Sequence, residues 1–399
     1  MSLPWLEERR RQADRRFQEL GFPDGRNEAF KYTSLKGLKR VPETTETSKG
    51  HLTLPQLNRD RLSFIDGDIV DNTLTEHQNV GPLSNFLDRA EDHLGQLSGD
   101  NTHGLAALNL ARFRDGLYLK GERGRSEPLV LHVALGALHG TCSYRHLIHL
   151  EAGVKADIVM TTSGDENTVA HLNEVTEVFL EAGAQLDLTW VHRGGKGLIA
   201  TQELVAQQHE ESELNINLFA FESGTLRHGI DVRQVGSDAT VRVAGLSLPQ
   251  QDEHVDYHLD LHHRAANGQS FQNFRGLVDT GGQAVVSGKV TVTESGVGSD
   301  AQQSLRGLLL GPWAEWDARP QLEIYTDDVT ASHGATVGNF DPDALFFLRS
   351  RGLDEVVSRR LLAGAFAREI AEQVNDPMLA DLLREAIDER LKSMLGGST

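Results

Sequence analysis

The spacing of apolar and polar positions changes twice along this chain. In the first twenty residues Trp5, Leu6, Arg9, Ala13, Phe17 and Leu20 fall near helical spacing, with Pro4 in the first turn and Gly21 and Pro23 as a stop. This predicts an amphipathic helix with a basic outer face, whose plainest use is to cap a core. Residues 62–70, LSFIDGDIV, alternate around the Asp66-Gly67 pair and predict a β-hairpin. Helical segments are expected at residues 83–97 and Gly104–Arg112. Region 1–115 therefore reads as a mixed, mainly helical unit.

From residue 116 to 337 short runs of Val, Ile, Leu and Thr are punctuated by Gly, Asp and Asn, with no sustained helical period, which predicts a β block. Inside it LEAGVKADIVM (150–160) returns as LEAGAQLDLTW (180–190), an offset of 30 residues. Weaker echoes follow at 209–219, 235–245 and 279–290. Stacked β-solenoid coils suit a repeat of this kind, because one coil cannot bury its apolar face without its neighbours. A β-sandwich also places strands every 8 to 12 residues or so, and the repeat favours the solenoid. Region 338–399 returns to helix. Asp341-Pro342 offers an N-cap, Gly352 closes a short helix, Asp354 caps a second to about Gln373, and Asp376-Pro377 starts a third. On the second helix Val357, Leu361, Leu362, Ala365, Phe366 and Ile370 make an apolar stripe. Three helices this short hold only a small core, so part of the stripe is expected on the solenoid end or on another protein.

Composition narrows the function. A length of 399 residues, at about 150 per domain, predicts two or three structural units. The net charge of −19, with no basic stripe, argues against a nucleic-acid partner. The single cysteine, Cys142, excludes a disulfide framework and any cluster that takes all its thiolates from one chain. The N-terminus has no apolar signal core and no stretch approaches a membrane span, so a soluble cytoplasmic protein is expected.

Three segments invite chemistry. GGKG at 194–197 lacks the spacing and the following Ser or Thr of a phosphate loop, and reads better as a turn between coils. His254, His258, His262 and His263 could gather a transition metal at either helical or strand spacing. The plainer reading is the outward polar face of a strand, with Val255, Tyr257, Leu259 and Leu261 on the other side. In the polar segment 323–341, Ser332 and His333 are neighbours that point to opposite faces when extended, so a hydrolytic Ser-His pair is not expected.

The run PQLEIYTDDVTASHGATVGNFDPDALFFLRSRG (320–352) resembles the C-terminal signature of the SufB/SufD family of iron-sulfur cluster assembly proteins. The likeness extends to SFQNFRGLVDTGGQAVVSGKVTV (270–292), LRGLLLGPWAEWDARPQLEI (305–324) and SRRLLAGAFAREI (358–370). LGFPDGRNEAFKYTSL (20–35) is similar to the SufD-type beginning.

The resemblance implies a mainly β protein, a right-handed parallel β-helix core (116–337) between a helical N-terminal region (1–115) and a C-terminal helical domain (338–399). It implies a non-catalytic scaffold subunit that pairs with a SufB-like subunit and docks a SufC-like ABC-type ATPase through its C-terminal helices, with Leu361, Leu362 and Phe366 as docking candidates. It also implies that His333 shares a nascent iron-sulfur cluster with the partner subunit, while no cofactor is tightly bound by the chain alone. Some relatives of this type carry a Cys two positions before that His, where this chain has Ala331, which leaves imidazole as the obvious ligand. Cys142, far from this segment, reads as a buried small residue. A homodimer standing in for the mixed pair is a further possibility. The alternative from another class is a solenoid enzyme acting on acidic polysaccharide, motivated by the architecture and its clustered carboxylates.

Overall fold

The computed structural model describes residues 3–41, 59–74, 78–98, 103–122, 129–135, 140–164 and 169–396. Its centre is a parallel β-solenoid of about 7 turns. The chain enters it through helix α1 (Pro4–Leu20), hairpin strands β1 (Asp60–Ile65) and β2 (Asp68–Asn72), short strand β3 (Val80–Pro82) and helix α2 (Gly104–Arg112). One wall is built from β4 (Leu117–Gly121), β6 (Gly140–Leu150), β8 (Ala170–Leu180), β10 (Leu198–Gln208), β12 (Thr225–Gln234), β14 (His254–His263), β16 (Gln283–Val292) and β18 (Glu315–Ile324). The facing wall is built from β5 (Leu129–Leu135), β7 (Lys155–Gly164), β9 (Gln185–Arg193), β11 (Glu213–Glu222), β13 (Thr240–Ser247), β15 (Gln269–Val278), β17 (Ser299–Leu309) and β19 (Val329–Gly338). Consecutive strands alternate between the walls and pair in parallel with the next coil, so the sandwich reading fails: its antiparallel hairpins are missing from the described coils.

The 30-residue repeat is a register fact, since Lys155 pairs with Gln185. Its LEAG segment forms a corner in which Gly153 and Gly183 take φ of +71° and +66°, where a Cβ is disfavoured. The N–H of Gly153 donates to Ala182 O at 2.9 Å and that of Gly183 to Glu210 O at 2.8 Å, one coil further on. Later corners repeat this with Glu211, Asp238, Asn267 and Gly298, each at positive φ and each donating to the next coil. Inward side chains from both walls, among them Leu131, Leu188, Leu218, Leu259 and Val290, form one continuous core.

Both outer faces are clothed. Helices α1 and α2 and the segment 83–98 lie on the β4–β18 wall over Leu147, Phe179 and Val205. Helices α3 (Pro342–Ser350), α4 (Glu355–Ala371) and α5 (Pro377–Leu395) follow the last strand, and the latter two lie on the flank of the other wall over Phe219, Leu246 and Leu277. The Asp341, Asp354 and Asp376 carboxylates accept from backbone N–H groups of the first turns, as their sequence positions predict. The hairpin at Asp66-Gly67 and the helices at the N-terminus and at Gly104–Arg112 also form where expected.

Two expectations are corrected. Residues 83–97 form 3₁₀ turns at Leu83–Asn85 and Leu87–Arg89 and further bends in place of a helix. Side chains from the solenoid take the N–H groups a helix would use: Asp115 accepts from Ser84 N, and Glu177 from Gly95 N, Leu97 N and Ser98 N. The C-terminal helices cover the flank of the solenoid and not its end, and the face α4 buries is Ser358, Ala363, Gly364, Ala367, Ile370 and Ala371. Small residues let the helix approach the sheet, so the bulkier stripe read from the sequence is turned partly away.

Candidate functional site

The stack stops at β18 and β19. Each has a partner on one side, β16 and β17 respectively, and none on the other among the described strands. The last coil therefore presents unpaired backbone donors and acceptors together with inner side chains that no further coil covers. Exposed Tyr325 (61%) and Val337 (56%) lie on this coil. An uncovered strand edge of this kind is a template for pairing with another chain.

The interior changes character toward this end. In one inward column, register partners run Ile158, Leu188, Ile216, Val243, Gln272, Gln303 and His333. Four aliphatic coils are thus followed by two buried amides and an exposed imidazole. Gln303 Nε2 donates to Gly288 O across the lumen at 2.8 Å and to Gln272 Oε1 at 3.2 Å. Beside them Trp316 lies against Gly276 and Gly307, where an added Cβ would stand 2.1 and 2.3 Å from ring atoms. Only glycine admits the indole there, and the ring, contributed by β18 of the last coil, packs back over the core.

His333 is on β19, exposed, with its side chain on the inward column; Ser332 faces the other way, as its position on a strand predicts. The four histidines of β14 do not converge. His254 contacts Thr33 Oγ1 and Gln283 Oε1, each at 2.9 Å, and His263 contacts Ser270 Oγ at 2.8 Å. His262 Nε2 lies 3.3 Å from Asp260, and His258 lines a small cleft with His103 and Glu203, where burial pushes its pKa down to about 4. Among the described residues no group of three or more His, Cys, Asp or Glu side chains is placed to hold a metal. Cys142 is fully buried and inward, and burial pushes its thiol up to about 11. GGKG is a turn between β9 and β10. No described helix is long and apolar enough to cross a membrane.

Of the docking candidates, Leu361 is 46% exposed, while Leu362 and Phe366 are partly buried against the flank core. The Arg275 guanidinium sits 5.5 Å from the Phe366 ring and pairs with Glu369. Helix α3 buries none of its side chains and exposes Phe346 (74%) and Phe347. Sequence reasoning passed over Gln272, Gln303, Gly276, Gly307 and Trp316. Their trace is the shared Arg-Gly-Leu of residues 275–277 and 306–308, which register places side by side.

Comparison with known proteins agrees with this architecture. Residues 134–366 match the family model "SUF system FeS cluster assembly, SufBD core domain". The chain is 28% identical to iron-sulfur cluster assembly protein SufD of Escherichia coli, over 95% of this chain and 92% of that protein. It is 27% identical to an iron-sulfur cluster assembly SufBD family protein of Synechocystis over 93% and 88%. Against the chloroplastic protein ABCI7 of Arabidopsis thaliana it is 28% identical over 68% of this chain and 56% of that one.

Proposed function

We propose that this chain, which belongs to the SufB/SufD family of the SUF iron-sulfur cluster assembly system and is SufD-like, is a scaffold subunit that pairs through its open coil with a SufB-like subunit. The observation that carries this reading is the uncovered last coil, with edge strands β18 and β19 and exposed apolar side chains. On that coil His333 stands at the end of an inward column, so a second solenoid meeting this end would enclose it. The imidazole would supply one ligand to a nascent cluster, and the partner the thiolates. This chain's one thiol is buried and held protonated, remote in the stack from the last coil.

A SufC-like ATPase would dock on the C-terminal helices. Exposed Leu361, Phe346 and Phe347 are available for that contact, whereas Leu362 and Phe366 already pack on the solenoid flank. The role is that of a non-catalytic partner of the ATPase.

The test is co-purification of the full chain with a SufB-like and a SufC-like protein, followed by reconstitution of cluster with His333→Ala. The variant is expected to assemble normally and to lose most of the cluster, read by absorption and by iron and sulfide content. Full cluster yield in an intact complex would remove His333 from the ligand set, and failure of the wild-type proteins to associate would overturn the pairing.

A further inference from the structure

We infer that Trp313 is the anchor by which a basic-edged strand of the partner subunit seats on the open coil, and that the acidic rim beside it disfavours a second copy of this chain there. This rests on the pairing reading given above and deepens it by naming the contact. Trp313 lies in the corner between β17 and β18, two residues before the edge strand, and is 87% exposed. Indole is the largest apolar side chain, and folded chains seldom leave one so open to water. Exposed Tyr325 follows the other end of β18, so two aromatic residues bracket an edge strand of ten residues, a length of about 33 Å.

The backbone at this corner is at odds with the residue it carries. Register pairs His254 with Gln283 and Gln283 with Glu315, so the positions two residues earlier, Asp252, Gly281 and Trp313, are equivalent in successive coils. All three take positive φ, of +64°, +68° and +61°. Glycine adopts that conformation freely and aspartate tolerates it, whereas a bulky side chain there is strained. Strain of this kind, once observed, points to use. The Gly281 N–H donates to Pro312 O of the next coil at 3.2 Å, while no described carbonyl accepts from the Trp313 N–H, since no further coil follows among the described strands. A strand laid along β18 and extended past its start reaches this corner, where it would bury the ring and supply an acceptor. Charge selects the strand. Glu315, Asp317, Asp327 and Asp328 form no salt bridge among the described residues, and Arg319, the one Arg or Lys in residues 313–328, is already paired with Glu28. A basic edge is therefore favoured, whereas a second copy related by a twofold axis would bring the same carboxylates to the contact. Trp is among the most frequent anchors of protein interfaces, and its face also accepts a cation.

The experiment measures binding of the full-length chain to a SufB-like subunit by calorimetry. Trp313→Asn suits the positive φ and should leave the melting temperature of the isolated chain within about 2 °C of wild type. It should weaken pairing about 30-fold or more, while Trp313→Phe keeps most of the affinity. Wild-type pairing should weaken as salt rises from about 0.05 to about 0.5 M. Glu315→Lys combined with Asp317→Lys should weaken it at the lower salt, where the wild-type chain alone should sediment as a monomer. Unchanged affinity in Trp313→Asn, with Val337→Lys still abolishing association, overturns the anchor and leaves the pairing standing. Loss of a SufC-like protein from Trp313→Asn with the SufB-like contact intact assigns the ring to the ATPase and overturns it equally. A stable wild-type dimer that Trp313→Asn dissociates overturns the choice of partner. If the wild-type chain does not bind the SufB-like subunit at all, the pairing itself fails and the anchor with it.

Discussion

The two ends of the solenoid are finished in opposite ways. At the first end β2 folds back antiparallel on β1, β3 pairs antiparallel with β4, and Leu62 and Phe64 of the hairpin, with Leu74 after it, are buried. The N-terminal segment that wraps this half is tied down by charge: Arg145 and Glu177, both fully buried, pair at 2.8 Å, and Glu177 also receives three backbone N–H groups. At the last end no described strand turns back on β18 or β19, and the inner column becomes amide and imidazole. A solenoid needs caps to remain a discrete body. One cap is built into this chain, and among the described residues the other end carries none.

This contrast can be broken first with acid. His132, His171, His192 and His228 are buried in the wrapped half and burial pushes their pKa values down to about 4, 3, 3 and 3. Each folded value lies below the ordinary value of about 6.5 expected in the unfolded chain. The stability they contribute is therefore full above that value and is lost as pH falls from about 6.5 toward 3–4. At pH 5 the loss is up to about 2 kcal/mol per histidine, on the order of 8 kcal/mol together. Strands β15–β19 carry only the exposed His333. Hydrogen exchange at pH 7 and pH 5, corrected for intrinsic rates, should show protection lost first in β5–β12. Loss that begins at β19 would contradict this order.

A smaller effect is expected from Glu177→Leu, which leaves the Arg145 charge buried and unpaired at a cost of about 3–5 kcal/mol. Denaturant titration should register that loss, with increased proteolysis near residues 95–98. A cost under about 1 kcal/mol would mean that the wrap is held by its apolar contacts alone. The smallest effect on the isolated chain belongs to the open end. Val337→Lys adds a charge to an exposed position of β19 and should change stability by no more than about 0.5 kcal/mol. It should nevertheless abolish pairing with a SufB-like subunit in a pull-down. Unimpaired association would place the interface elsewhere.

Much of this was legible in the residues, for identifiable reasons. The hairpin and the helix starts were visible because Asp-Gly and Asp-Pro do their structural work within a few residues. The repeat showed clearly at only one pair because those two corners use glycine; later ones reach the same conformation with Glu211, Asp238 and Asn267, whose identities give no common signature. The stretch 83–97 misled because carboxylates from residues 115 and 177, distant in sequence, compete for its N–H groups. On α4 the large apolar residues drew attention from the alanines and glycine that face the sheet. His333 was found through resemblance to a family, and what lies behind it was not, since a glutamine at an inward strand position looks no different in sequence from one facing water.

The corner ladder gives the stack a constant step. Because each corner hands its hydrogen bond to the next coil, adding or removing one whole coil would move the terminal histidine along the axis by one inter-strand spacing, about 4.8 Å. The number of coils thus works as a ruler, metering how far the imidazole stands from the N-terminal wrap.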